Sequence, residues 1–334
     1  MNTLVMGGTR FNGLHLVQEL VRCGHKVTTL NRGVTEARLP RETRRLYADR
    51  KDVPRLKETL ESEEFDVVFD ISAYVLEDVE SMVDIFEGRT GHYIFASSTV
   101  VYAASNILPI NEDFPVDNTP RQSDYGRNKL ICEDFLMRAF RQRRFPMTVA
   151  RFSMVFGPDN GILDREQRMF VRLLRGRKIL VPGRGATLGQ VGHVDDEARA
   201  LRMMALNPRT YGEIYNVTGK DYFSDDGYVD TCARAVGVEA DKVFVPAEVM
   251  DSASPETRRP LIQRLAPYIH RWDESTLFGI GKLRDHLGYE PFYTFESAVE
   301  QTYEWFMAQG LDKQREYDFS EEDALIARLD GLSR

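Results

Sequence analysis

Short apolar runs at 3–6, 26–30, 45–47, 66–70, 92–96 and 147–151 alternate along this chain with longer stretches of helical period. After the first run, Leu14, Leu16, Val17, Leu20 and Val21 recur at the spacing of one helix face, and helices are also expected at 53–62, 76–87 and 124–142. Strands that alternate with helices predict an α/β fold with a doubly wound parallel sheet. The regularity breaks near Gly157-Pro158. Beyond it come an amphipathic basic helix at 165–175, a Gly-rich stretch at 183–192, a helix at 195–206, a polar Pro-punctuated region at 252–267 and a final amphipathic helix at 321–329. This predicts a doubly wound domain at 1–156, followed at 157–334 by a smaller lobe interleaved with late sheet strands, with the final helix packed on that lobe. No internal repeat or low-complexity segment interrupts the pattern.

The first strand runs directly into Gly7-Gly8-Thr9-Arg10-Phe11-Asn12-Gly13. A glycine turn between strand and helix lets backbone N–H groups meet a pyrophosphate at the positive end of the helix dipole. Gly7 suits the tight turn and Gly13 the close approach of helix to sheet, while the position between them that is often glycine is Arg10. The placement favours a dinucleotide site over a plain turn. At the end of the second strand a carboxylate would bind the ribose diol of NAD, but here stand Asn31 and Arg32, which suit a 2′-phosphate. NADP is therefore favoured over NAD, the alternative being that Arg32 is a solvated turn residue. Asp49 is placed either to reach an adenine amine or to cap the helix that begins near Asp52. Arg50, Ser72 and Ala73, at the ends of neighbouring strands, complete the expected cofactor contacts.

Tyr125 and Lys129 stand four apart on the helix at 124–142, which puts a phenol and an ammonium on one face. The ammonium is expected to favour phenolate and lower the tyrosine pKa toward working pH, as a general base for an alcohol requires. Ser97, Ser98 and Thr99 fall at the carboxyl end of a parallel strand, where open α/β sheets bind ligands. Ser98 is placed to hold a substrate hydroxyl against Tyr125, with Lys129 on the cofactor ribose.

With 334 residues, 42% hydrophobic and 29% charged, the chain has the composition of a soluble globular protein. It shows no apolar stretch long enough to span a bilayer and no targeting signal, so a cytoplasmic location is expected. Cys23, Cys132 and Cys232 are too few and too widely spaced for a disulfide framework or zinc site, and are read as structural thiols; no metal is expected. A net charge of −8 opposes a general nucleic-acid binder, so a small-molecule partner is expected. The basic cluster at 138–144 has the phase of a solvated face.

Taken in order, Gly7 to Gly13, Ser98 four residues before Tyr102, Tyr125 and Lys129, Arg151 to Gly157-Pro158, and His193-Val194-Asp195-Asp196 resemble the extended short-chain dehydrogenase/reductase family, the NAD(P)-dependent epimerase/dehydratase group. The resemblance covers roughly the first 200 residues. It implies a Rossmann sheet, a Ser98/Tyr125/Lys129 catalytic triad, and a homodimer formed through the Tyr125 helix and its predecessor, where Ile131, Phe135, Leu136 and Phe140 serve either the dimer or the sheet. The Gly-Gly-Thr-Arg-Phe form of the turn looks most like a divergent branch that also holds chloroplast stem-loop RNA-binding proteins. A non-catalytic RNA- or protein-binding role is accordingly the alternative to an enzyme.

The family's 4,6-dehydratases place Asp and Glu after the catalytic hydroxyl residue; Thr99 and Val100 stand there in this chain, which disfavours dehydration. Epimerisation and simple oxidation or reduction of a secondary alcohol both remain. The family's nucleotide-sugar enzymes carry a diphosphate-gripping arginine shortly before His193, where this chain has Gln190. Gln190 is expected at the substrate with Tyr74, Ser98, Thr99 and Arg165. Arg165, Arg168 and Arg172 either supply phosphate-binding charge or form a solvated helix face. His193 is expected to be structural.

Overall fold

The computed structural model describes residues 1–162, 165–252, 274–314 and 316–332. The polar region expected at 252–267 lies almost wholly outside them. Seven parallel strands form the central sheet: β1 (Asn2–Met6), β2 (Lys26–Asn31), β3 (Arg44–Tyr47), β4 (Phe65–Asp70), β5 (Thr90–Ser98) and β6 (Met147–Phe152), joined later by a strand at Glu213–Val217. Their spatial order is Glu213–Val217, β6, β5, β4, β1, β2, β3. Chain order reverses between β1 and β4, opening a crevice at the carboxyl ends of those strands.

The helices are α1 (Phe11–Arg22), α2 (Val53–Leu60), α3 (Leu76–Phe86), α4 (Asp124–Arg143), α5 (Glu166–Leu174), α6 (Val194–Met204) and α7 (Asp225–Val236), with later ones including Phe295–Ala308 and Ser320–Leu332. One apolar layer joins Leu4, Val68 and Phe95 to α2, α3 and α4. The opposite layer joins Val5, Phe69 and Ile94 to Leu16, Leu20 and Leu201 of α1 and α6. Successive strand residues thus feed opposite layers, and burial on both faces explains why these strands read as nearly continuous apolar runs. A third core gathers Phe170, Tyr228, Val299 and Phe306, and Leu325 and Leu329 seat the last helix in it as expected.

The expected strands and helices lie within two residues of the observed ends, except that the final helix runs three residues further, to Leu332. The basic helix at α5 departs from both readings of its charge. Arg168 and Arg172 are buried, with Arg168 paired to Glu322 of the last helix at 2.7 Å and Arg172 at 3.4 Å, and both guanidinium groups lie beside the Phe319 ring, at 4.6 and 5.1 Å. They are neither solvated nor free for phosphate. The helical period located α5, but the acidic partner of Arg168 lies 154 residues further along the chain. On α4, Leu136 is buried, Phe135 and Phe140 pack against the sheet layer, and Ile131 is exposed. All three cysteines are free thiols. No described helix is long and apolar enough to cross a membrane.

Candidate functional site

A cleft of about 1020 Å³ opens at the strand carboxyl ends around the crevice. Its floor is the glycine turn. Gly7 has φ +88°, and a Cβ on Gly13 would stand 2.2 Å from the Gly7 carbonyl oxygen, so α1 meets β1 at a distance only glycine allows. Arg10 precedes α1 in extended backbone, and no side chain caps the helix. Thr9, Arg10, Phe11 and Asn12 line the cleft, and the Asn12 Oδ1 atom is buried there without a hydrogen-bond partner.

Asn31 and Arg32 form the next wall. The Asn31 Oδ1 atom accepts from the Gly33 N–H at 3.0 Å, while its Nδ2 is buried without a partner. Asp49 lines the cleft, and the helix cap expected near it comes from Asp52, whose carboxylate accepts from the Arg55 N–H at 3.1 Å. Arg50, expected to reach a cofactor, borders the cleft but spends its guanidinium inside the protein: it donates to both Asp70 oxygens at 2.9 Å, to Ser72 Oγ at 3.0 Å and to the Asp78 carbonyl at 2.9 Å. Ser72 is a lining residue; Ala73 is fully buried and takes part only through its carbonyl.

Ser98 ends β5, and its hydroxyl accepts from the Val100 N–H at 3.3 Å, closing a 3-10 turn at Thr99–Val101. Ser123 caps α4 by accepting from the Gly126 N–H at 3.1 Å, which sets Tyr125 in the first turn. Tyr74, Ser98, Thr99 and Tyr125 face the same cleft, with the Tyr74 and Tyr125 rings 6.0 Å apart. Lys129 lies behind them, buried, donating to the Ala73 and Ala96 carbonyls at 2.7 and 2.6 Å and standing 5.6 Å from the centre of the Tyr125 ring.

The titration of this pair differs from expectation. Partial burial, in a residue that stays 42% exposed, reinforced by Tyr74 and opposed by Ser98, pushes Tyr125 up to about 12, and full burial brings Lys129 down to about 8. Lys129 does not lower the phenol because its charge is turned onto two carbonyl dipoles. Four-residue spacing specifies a shared face, not where a flexible ammonium points.

On the substrate side, Arg165 and Ile162 edge the cleft. Gln190, expected there, is instead an internal staple: its Nε2 donates to the Gly219 carbonyl and its Oε1 accepts from the Phe278 N–H, each at 2.7 Å. Burial with both amide ends satisfied keeps it from the cleft. His193 is structural as expected, accepting from the Asp195 N–H at 3.2 Å to start α6 and stacking on Tyr293 at 3.6 Å, with burial lowering its pKa to about 4. Sequence reasoning passed over Val34, Thr35, Ser153, Met154 and Ile162 as lining residues. Of these only Ser153, just past the carboxyl end of β6, carried a recognisable signal.

It also passed over His15. One turn into α1 this residue is buried between the Asp195 carboxylate on α6, at 2.5 Å from Nδ1, and the Asp159 carboxylate, at 3.2 Å from Nε2. Burial alone would lower its pKa, but the hydrogen bonds and charges of Asp159 and Asp195 outweigh it and hold His15 at about 9. With the folded pKa above the ordinary 6.5, the imidazolium contributes its full stability below pH 6.5 and loses it as pH rises through 9. Because the two carboxylates are about 40% exposed, solvent screening leaves about 1–2 kcal/mol of that contribution. Lys129 titrates in the same range with the opposite slope, so the comparison must be with a His15 variant. The stability advantage of the parent over His15→Gln, read from urea unfolding, is expected to shrink by about 1–2 kcal/mol between pH 6.5 and 9.5. A pH-independent difference would contradict the ion-pair account.

Residues 3–218 match the model of the NAD dependent epimerase/dehydratase family. The chloroplast stem-loop binding protein of 41 kDa b from Arabidopsis thaliana is 31% identical across 97% of this chain and 84% of its own length. The dTDP-glucose 4,6-dehydratase of Salmonella typhimurium is 27% identical across 56% of this chain and 48% of its own. The crystal structure of UDP-glucuronic acid 4-epimerase from Bacillus cereus in complex with NAD has the same fold, with a TM-score of 0.73 at 19% identity over 94% of this chain and 99% of that one.

Proposed function

Since the chain belongs to the NAD dependent epimerase/dehydratase family, we propose that it is an NAD(P)-dependent epimerase or oxidoreductase that oxidises a secondary alcohol of a sugar-like, nucleotide-linked substrate. The observation that carries this reading is that Ser98 and Tyr125 open onto the same cleft as the Gly7-to-Gly13 turn, with Lys129 directly behind. The cleft residues fit a dinucleotide. The Asn12 Oδ1 and Asn31 Nδ2 atoms are buried at its wall with hydrogen-bonding capacity unspent, and the uncapped start of α1 offers N–H groups to a pyrophosphate. When bound, the nicotinamide supplies the hydride acceptor and donor.

The protein's own part is proton handling and orientation. Ser98 would hold the substrate hydroxyl and Tyr125 would take its proton, while Lys129, here on the Ala73 and Ala96 carbonyls, would hold the dinucleotide ribose, and its charge would stabilise the phenolate. Thr99 and Val100 offer no acid or base for water elimination, so epimerisation or net redox is favoured over dehydration. Tyr125→Phe is expected to lower turnover of UDP- or dTDP-sugars by about 10²–10⁴-fold while leaving dinucleotide affinity unchanged. Full activity in that variant would sink the mechanism.

Arg10 and Arg32 line the cofactor side without a carboxylate partner among the described residues, which supports NADP over NAD. Calorimetric titration of Arg32→Ser should show about a tenfold or greater loss of NADP⁺ affinity with little change for NAD⁺, as removal of one charge-assisted contact implies. No loss for either would assign Arg32 to the solvent, and equal losses would put it on a part that the two dinucleotides share; either result removes the support for NADP.

A second reading, binding of RNA without catalysis, is favoured by the 31% identity with the stem-loop binding protein along nearly the whole chain. The net charge of −8 counts against it. Filter binding of a stem-loop RNA across a salt series tests it: steep salt-dependent retention, in protein that turns over no nucleotide sugar, would replace the enzymatic reading.

A further inference from the structure

Beneath the cleft, α4 is fastened to the end of β5 by two adjacent side-chain contacts. Lys129 donates to the Ala96 carbonyl, and one turn later the Glu133 carboxylate accepts from the Ser97 hydroxyl at 2.5 Å. Ser97 pairs in register with Arg151 of β6, and the Arg151 guanidinium reaches the same carboxylate, with Nη2 at 2.6 Å and Nε at 3.1 and 3.2 Å. Ser97, Glu133 and Arg151 are each 3% exposed. The Arg151 guanidinium also covers the Tyr102 ring at 4.7 Å, and the Tyr102 hydroxyl donates to Asn216 Oδ1 at 2.7 Å, extending the contact to the edge strand at Glu213–Val217.

A buried ion pair is a costly way to hold a helix on a sheet, and well-packed apolar residues would serve stability as well. What they lack is direction: Cys132, Leu136 and Ala139 already supply non-directional packing on this face. A carboxylate that must meet both a strand hydroxyl and a guanidinium has one acceptable register. The residue after Ser97 is Ser98, and the residue one turn before Glu133 is Lys129. We infer that Glu133, through Ser97 and Arg151, is a positioning residue that holds α4 in register with β5 so that Tyr125 and Lys129 meet Ser98. The inference rests on the proposed roles of those three residues.

The test uses the full chain with Ser97→Ala and Glu133→Gln, neither of which alters Ser98, Tyr125 or Lys129. The readout is the Tyr125 phenolate, followed by ultraviolet difference absorbance in NADP⁺-loaded protein and isolated by subtracting the signal of Tyr125→Phe. Loading is expected to lower the Tyr125 midpoint in the parent. In both variants the lowering should be smaller by about one pH unit or more, a tenfold loss of phenolate below the midpoint, with NADP⁺ affinity within about twofold of the parent. A purely structural role would lower the unfolding midpoint and leave this titration where it was. Parental Tyr125 midpoints in the loaded variants overturn the inference alone. A parent that shows no lowering on loading overturns the proposed function, and the inference with it. Should Glu133→Gln fail to fold because Arg151 is left unpaired, Ser97→Ala decides, since it removes one hydroxyl and leaves the ion pair intact.

Discussion

A parallel sheet covered by helices on both faces leaves its chemistry only one place to go. Strand residues alternate between two apolar layers, so polar side chains inside this sheet, such as His92, Tyr93 and Ser97, are for the most part paired. The strand ends are free of that demand. At their carboxyl side, the reversal of order between β1 and β4 splays the connections apart, and the cleft forms there. The approach of α1 to β1 at Gly7 and Gly13 leaves no room for a side chain at the floor of that cleft, since any Cβ on Gly13 would collide with the Gly7 carbonyl.

Charge is used in this protein mostly to hold elements in place. Arg50 ties β4 and α3 together through Asp70 and Asp78; Arg151 and Glu133 tie β6 to α4; Arg168 and Arg172 tie α5 to the last helix through Glu322. Each pair links segments distant in sequence and is largely withdrawn from water, where removing one partner costs far more than the pair contributes. His15 belongs with them, joining the first turns of α1 to α6 through Asp195. The cations left facing the cleft, Arg10, Arg32 and Arg165, are those with no such structural partner among the described residues.

The parts of the molecule legible from sequence were those encoded locally. Short apolar runs marked every strand from β1 to β6, and a 3.6-residue period marked α1 to α4, because burial on one face or two leaves its imprint on neighbouring residues. The glycine turn, Ser98 and Tyr125 were legible for the same reason, each being a short motif at a predicted element boundary. Gln190 and Arg168 were misjudged because their position along the chain suggested ligand contact, while their partners, Phe278 and Glu322, come from elsewhere in the fold.

The sequence by itself determined the order and type of elements, the doubly wound parallel arrangement and the residues brought to the strand ends, since periodicity and turn chemistry act over a few residues at a time. The tertiary structure alone decided which polar side chains are spent inside. It turned Lys129 toward two carbonyls, left Tyr125 with a raised pKa, and gave Glu133 its grip on Ser97 and Arg151. Those outcomes depend on distance, burial and direction between residues far apart in the chain, and hydrogen bonds and charges respond to these quantities and not to spacing.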